Sequence, residues 1–419
     1  MQTSPLGKRE LQQAFTSARS AEELLAVADQ QAAVMDHIHT ATAFNRLGLL
    51  VTAPDAREAL RTDARLSRLL LLLQGQAHRL NAQGVSNTLW AAARLAPVAA
   101  PIELVATLEA RALVVFGTAD EHAFPQAISN TAWAHARLVA ADCTPVNARL
   151  LACLAGAADA VGAARFSPQP LSNLVWAFAT ARYAPPIPGW LDRAWAAAVA
   201  TAECDAPAFR PQELALALWA FAKLQHAPDP VSLRLMASRL GGRAAQCDAQ
   251  ALSNGLYALA VMGLGHGGAP RAVSALVASY AALMPQVCRP QSVCLLMWSL
   301  PLLGNDPGAQ FVTAALGRVL AMGASVRAAD VAQLCAGLVA LRYTPGPKSL
   351  DALALLVDRE VHGFNAPQLA TVMGAFVRFG VDLPADQGRR LAARVAELGG
   401  GISLEGALDA LGCAHFVVR

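Results

Sequence analysis

The chain has 419 residues, with 33 Lys and Arg against 30 Asp and Glu, and its formal net charge of +3 excludes a strong overall basic field, so an anionic partner has to be met by locally placed cations. Hydrophobic residues make up 55% of it but Phe, Trp and Tyr only 6%, and much of the rest is Ala, a mix that favours closely packed helices over strands. The eight Cys, at 143, 153, 204, 247, 288, 294, 335 and 413, form no CxxC pair and have no matching His spacing, which supports neither a zinc site nor a disulfide framework and reads them as reduced core residues.

Residues 1–65 read as an N-terminal helical region. Lys8 and Arg9 are followed by Glu10, Glu22 and Glu23, and the stretch lacks both an apolar signal core and the acid-poor composition of a transit peptide. Within it IHTATAFNRLGLL (38–50) reads as a degenerate copy of the unit that recurs from residue 66 onward, with Arg46-Leu47 imitating Arg94-Leu95.

From residue 66 the chain repeats itself. VSNTLWAAARL (85–95), ISNTAWAHARL (128–138), LSNLVWAFATA (171–181) and LALALWAFAKL (214–224) align at once, and weaker copies stand at 252–262, 293–303, 331–341 and, once one residue is deleted for the alignment, at 368–379. The register residues are Trp90, Trp133, Trp176, Trp219, Tyr257, Trp298, Ala336 and Gly374, spaced by 43, 43, 43, 38, 41, 38 and 38 residues. Such a unit accommodates two helices of three to four turns and two short connectors. A Gln preceded by Pro or Ala (Pro125-Gln126, Pro168-Gln169, Pro211-Gln212) opens the second helix, and a Pro after it (Pro101, Pro145, Pro188, Pro230) opens the next repeat. The expected fold is an all-α, right-handed α-solenoid of helix-turn-helix repeats of about 38–43 residues. About eight hairpins fill 66–400, and 401–419 is a capping segment or a truncated repeat.

The stretch 271–306 holds one internal charge, Arg289, but Pro285, Pro290 and Pro301 interrupt it, so a buried helix pair is expected rather than membrane insertion. GLGHGG (263–268) falls in a connector, where Gly ends helices, and carries little weight as a phosphate loop. No Gly-rich phosphate motif, GxSxG, HExxH or spaced carboxylate pair is present, so catalytic residues, metal ligands and cofactors are expected to be none and the protein is not read as an enzyme.

On the second helix, the positions five before, one before, two after and five after the register residue share an apolar face, expected to pack on the first helices. Another face carries Asn87, Asn130, Asn173 and Asn254 three residues before the register and Arg94, Arg137, Lys223 and Arg378 four after it, with a small residue such as Ala91, Ala134 or Gly337 between them. That small residue permits close approach of a neighbouring helix or of an extended ligand. Two readings of the ladder are open: a groove for an extended polymer, with amides and cations meeting backbone or base edges, or Asn bonded to a connector or a neighbouring helix and Arg solvated at a helix end. The Trp residues divide in the same way between packing and base stacking, and His135, on the apolar face, between a satisfied core residue and an acid-base group.

PQPLSNLVWAFATARYAP (168–185) and PQELALALWAFAKLQHAP (211–228) resemble the octotricopeptide repeat, with its Pro-Gln, Leu-Ser-Asn and Trp-Ala in this order. The resemblance covers about 66–400, strong through Leu224 and degenerate afterwards. It implies a sequence-specific protein for single-stranded RNA, of a kind abundant in green algae, acting in chloroplasts or alternatively mitochondria on transcript stability, processing, splicing or translation, alone or with other RNA-processing proteins. Many relatives end in a RAP domain; none is recognised before LGCAHFVVR. If the four basic residues of the ladder each met a phosphate, the log-log salt slope would be about −3. The rival expectation is an armadillo-like scaffold whose Asn ladder holds an extended peptide or partner protein.

Overall fold

The computed structural model describes residues 6–98, 100–118, 124–203, 209–287, 289–381 and 383–398. Among them the chain forms 21 α-helices and no strand, in two compact units, Met1–Phe209 and Arg210–Arg419. The all-helical repeat expected from the sequence is what is found. The segment 401–419, read as a cap or truncated repeat, lies outside the described residues, as do Cys204, Cys288 and Cys413.

The first unit opens with α1 (Lys8–Ser17), α2 (Ala21–Gln30), α3 (His37–Leu50) and α4 (Pro54–Leu60). Then first and second helices alternate: α5 (Ala64–Gln76) and α6 (Ala82–Leu95), α7 (Ile102–Gly117) and α8 (Pro125–Ala140), α9 (Ala148–Val161) and α10 (Pro168–Thr180), with α11 (Trp190–Glu203) last. The second unit opens on α12 (Pro211–Lys223). It continues through α13 (Pro230–Gly241) and α14 (Ala249–Val261), α15 (Pro270–Leu283) and α16 (Pro290–Leu302), α17 (Ala309–Ala321) and α18 (Ala328–Ala340), and α19 (Pro347–Arg359) and α20 (Ala366–Phe379), to α21 (Ala385–Glu397).

Local chemistry sets these boundaries. Pro125, Pro168, Pro211 and Pro290 stand at the first position of their helices, where a missing N–H costs nothing. In α6 and α14, which start with Ala instead, a capping side chain takes over: Asn81 accepts from Gly84 N and Asp248 from Ala251 N. From α10 onward the second helices end in a left-handed residue six places past the expected register residue (Arg182, Gln225, Gly263, Gly304, Arg342, Gly380). The next N–H reaches back to a carbonyl five residues earlier, as Tyr183 to Phe178 at 2.9 Å, His226 to Phe221 at 3.0 Å and Tyr343 to Leu338 at 2.9 Å. The 263–268 connector belongs to this device: Gly263 is such a helix end, and His266 lies over Gly304, where an added Cβ would meet its ring.

Packing differs from expectation in one respect. The apolar stripe is buried, with Ile128, Ala132, His135 and Leu138 all at 0% exposure, but the second helices pack chiefly on one another: α3 on α6, α6 on α8 and α8 on α10 in the first unit, and α12 on α14, α14 on α16, α16 on α18 and α18 on α20 in the second. Small residues allow this approach. A Cβ on Gly48 would lie 3.1 Å from the Ala91 Cα, and one on Gly337 only 2.5 Å from the Met297 carbonyl oxygen. The small residue beside the register therefore serves the neighbouring helix, leaving no room there for a ligand.

Arginines on the first helices clamp repeat to repeat through backbone carbonyls. Arg111 donates to Leu80 O at 2.7 Å, Arg318 to Val287 O at 2.7 Å, Arg359 to Val326 O at 2.6 Å and Arg394 to Phe364 O at 2.9 Å. The 271–306 stretch forms α15 and α16, and no described helix is long and apolar enough to cross a membrane. Cys247, Cys294 and Cys335 are buried, whereas Cys143 and Cys153 are only half-buried.

Candidate nucleic-acid interface

On three consecutive second helices one stripe escapes burial. In α6 it is Gln83, Asn87, Trp90 and Arg94; in α8 Gln126, Asn130, Trp133 and Arg137; in α10 Gln169, Asn173, Trp176 and Thr180. Steps of four, three and four residues keep such a row on one helix face. Between its members every position from Val85 to Ala93, from Ala127 to Ala136 and from Pro170 to Ala179 is buried. The sequence pattern recognised the Asn, Trp and basic places but used Gln only as punctuation. Its spacing, four residues before Asn, was the available signal.

The Leu-Ser-Asn motif divides its work. The buried serines turn back onto their own helix: Ser86 donates to Gln83 O at 3.0 Å, Ser129 to Gln126 O at 3.1 Å, Ser172 to Gln169 O at 3.0 Å and Ser253 to Gln250 O at 3.1 Å. The asparagines do the opposite. Asn87, Asn130, Asn173 and Asn254 are half-buried, and among the described residues their side-chain amides make no hydrogen bond within the protein. The reading in which Asn ties down a connector therefore fails, and one donor group and one acceptor face outward from each.

The basic residues are less uniform. Arg94 is half-buried, its Nε donates to Gly48 O at 2.9 Å, and its guanidinium lies 5.0 Å from the Trp90 ring centre. Arg46 does the same one repeat earlier, donating through Nη2 to Ala18 O at 2.8 Å, so the imitation of Arg94 by Arg46 is a shared role in capping the preceding helix. Arg137 is exposed, its guanidinium makes no hydrogen bond or ion pair among the described residues, and it lies 5.9 Å from the Trp133 ring centre. Lys223 is exposed, 5.9 Å from the Trp219 and 4.8 Å from the Tyr257 ring centre, and its Nζ donates to the Tyr257 hydroxyl at 3.0 Å. Exposed cation–π contacts of this kind contribute about 0.5–1 kcal/mol and hold the cation beside the ring.

Arg378 departs from the ladder. In α20 Met373 is the half-buried residue and Gly374 is buried, so the outward stripe runs through Ala370, Met373 and Val377, and exposed Arg378 falls one place beyond it. The extra residue in this helix shifts the register that Gly374 was expected to hold.

The rings line the stripe. Trp90, Trp133, Trp176, Trp219 and Trp298 are half-buried and Tyr257 is buried. Trp133 and Trp176 stand 6.3 Å apart, centre to centre, at 34°, and Tyr257 and Trp298 5.5 Å apart at 38°. They pack repeat on repeat, and each Trp keeps part of its ring open.

His135 belongs elsewhere. It is fully buried; the Asn147 backbone N–H donates to its Nε2 at 3.0 Å, which places the ring proton on Nδ1, 2.7 Å from Glu109 Oε1. Glu109 Oε2 accepts from Asn147 Nδ2 at 2.8 Å, and Asn147 Oδ1 caps α9 at Leu150 N. This satisfied core cluster joins α7, α8 and α9.

Helices α6, α8 and α10 thus each offer an amide pair and a flat aromatic and, in α6 and α8, a cation, a set that suits splayed bases and phosphates of a single strand. No curated protein matches the chain. Residues 226–414 match the family model of the Tbc2 translation factor, N-terminal domain. That stretch is somewhat less than half of the 419 residues, lies inside the second unit, and begins just past Leu224, on the repeats that carry the sequence motif most weakly. Over it the chain is similar to the N-terminal domain of that translation factor.

Proposed function

We propose that the protein binds single-stranded RNA in a sequence-dependent way and acts in organellar post-transcriptional gene expression, in the chloroplast or alternatively the mitochondrion. The supporting observation is the row of outward amides on Asn87, Asn130 and Asn173, left without protein partners beside open Trp rings. Similarity of residues 226–414 to a translation factor domain and the octotricopeptide-like motif point in the same direction. The action is passive: the protein covers a short run of RNA, with about one nucleotide per repeat, and excludes nucleases or competing structure. It is not an enzyme.

Filter binding against a pool of organellar transcript fragments at low salt tests this. Enrichment of particular fragments, lost on combined Asn130, Asn173 and Arg137 substitution to Ala, is expected. Absence of enrichment contradicts the proposal.

A further inference from the structure

The outward amide is not needed for the fold. In the second unit the same place, three residues before the register, is filled by Leu216 in α12, Asn254 in α14, Leu295 in α16 and Gln333 in α18, and the helices stack alike. Leu serves the helix as well as Asn does. In the first unit, by contrast, three consecutive stacked helices all carry Asn there, at 87, 130 and 173, each with an exposed Gln one turn earlier. Among the described residues none of these side-chain amides has a hydrogen-bond partner in the protein.

The row has a defined beginning. In α3 the nearest amide, Asn45, donates to the Asn87 backbone carbonyl at 3.2 Å and so is occupied. Within the row Trp133 and Trp176 stand 6.3 Å apart, centre to centre, a separation that brings neighbouring readers within reach of neighbouring nucleotides.

Resting on the RNA reading above, we propose that the first unit selects a run of three identical nucleotides, with Asn87, Asn130 and Asn173 each bonding the edge of one base. A side-chain amide presents one carbonyl acceptor and one amino donor group in a fixed plane, and so complements a base edge that shows a donor beside an acceptor. Helical-repeat readers take about one base per repeat. The same amide held in the same frame three times in succession therefore chooses the same base three times. The second unit, with Leu, Asn, Leu and Gln at this place, has no such run of equal readers.

Selection of bound sequences from a random single-stranded RNA pool, with the full chain and with Asn130→Leu, tests the assignment. Leu already fills this place at 216 and 295, so the variant keeps the fold, and an unchanged melting temperature verifies it. The wild-type motif should contain three identical consecutive bases. Asn130→Leu should relax the middle one alone and weaken binding to the parent motif about fivefold to a hundredfold. An enriched motif without such a triplet overturns the inference but leaves RNA binding standing. So does a variant that weakens binding equally for all sequences. No enrichment of any RNA overturns both.

Discussion

Replacing Glu109 by Gln keeps its size but removes one of two acceptors from a buried cluster. The carboxylate receives His135 Nδ1–H at 2.7 Å and Asn147 Nδ2–H at 2.8 Å, with His135 at 0% and Glu109 at 4% exposure. In the Gln variant one of these donors must face an NH2 group. Moving the imidazole proton to Nε2 gives no relief, because the Asn147 N–H already points there at 3.0 Å. One donor thus loses its partner, for a cost of about 2 kcal/mol, and Glu109→Ala strands both the buried His135 and the half-buried Asn147, for up to about 4 kcal/mol. Stacked repeats open locally, so the readout has to be local. Native-state hydrogen exchange should show amides of α7, α8 and the first turn of α9 losing protection about thirtyfold in the Gln variant, with α13 to α19 unchanged. Unaltered protection of these helices in Glu109→Ala, or an equal loss in both units, would refute the reasoning.

Other consequences are open to simpler tests. Gly337→Ala places a Cβ 2.5 Å from the Met297 carbonyl oxygen and should lower the urea midpoint, by the equivalent of about 1–3 kcal/mol, whereas Gly317→Ala, in α17 with nothing within 4 Å, should raise it by up to about 1 kcal/mol. Burial raises the Asp330 carboxyl above its ordinary value of 3.8. The stability linked to this group is therefore fully present below about pH 4 and lost as pH rises through the higher folded value. Asp330→Asn keeps an acceptor for Arg327 N, so its urea midpoint should gain on wild type from acid to neutral pH; a difference constant with pH would count against this. Burial pushes the Cys335 thiol up to about 12 and Cys294 well above its usual range, so alkylation at pH 8 should reach neither until the chain unfolds. Rapid labelling of either in the native protein would contradict their placement.

The period was legible because Trp recurs at one place and cannot be mistaken for chance, and the stacking of hairpins follows from it. Helix ends were less legible. Arg182, Gln225 and Arg342 adopt the left-handed conformation that Gly263, Gly304 and Gly380 advertise, and no feature of an Arg or Gln announces it. In α20 the adjacent Met373 and Gly374 both suit a small or apolar place, so the one-residue shift that removes Arg378 from the ladder shows only in the packing. The candidate site was half-read. Spacing put Asn, Trp and Arg on one face, but whether an amide is bonded depends on neighbours about 43 residues away. Arg94 turned out to hold Gly48 O, and Asn130 to hold nothing. His135 could not be assigned from its helix alone, since Glu109 and Asn147 come from two other segments of the chain.

The central claim is that RNA lies along the outward stripe of the second helices. Ultraviolet cross-linking of the full chain to 4-thiouridine-containing single-stranded RNA, with peptide mapping of the adducts, measures this directly. Adducts are expected on the peptides of α6, α8 and α10 that carry Trp90, Trp133 and Trp176, reduced when Asn87, Asn130 and Asn173 are replaced together by Ala. Adducts confined to the first helices α7 and α9, or unchanged by the triple replacement, would contradict it.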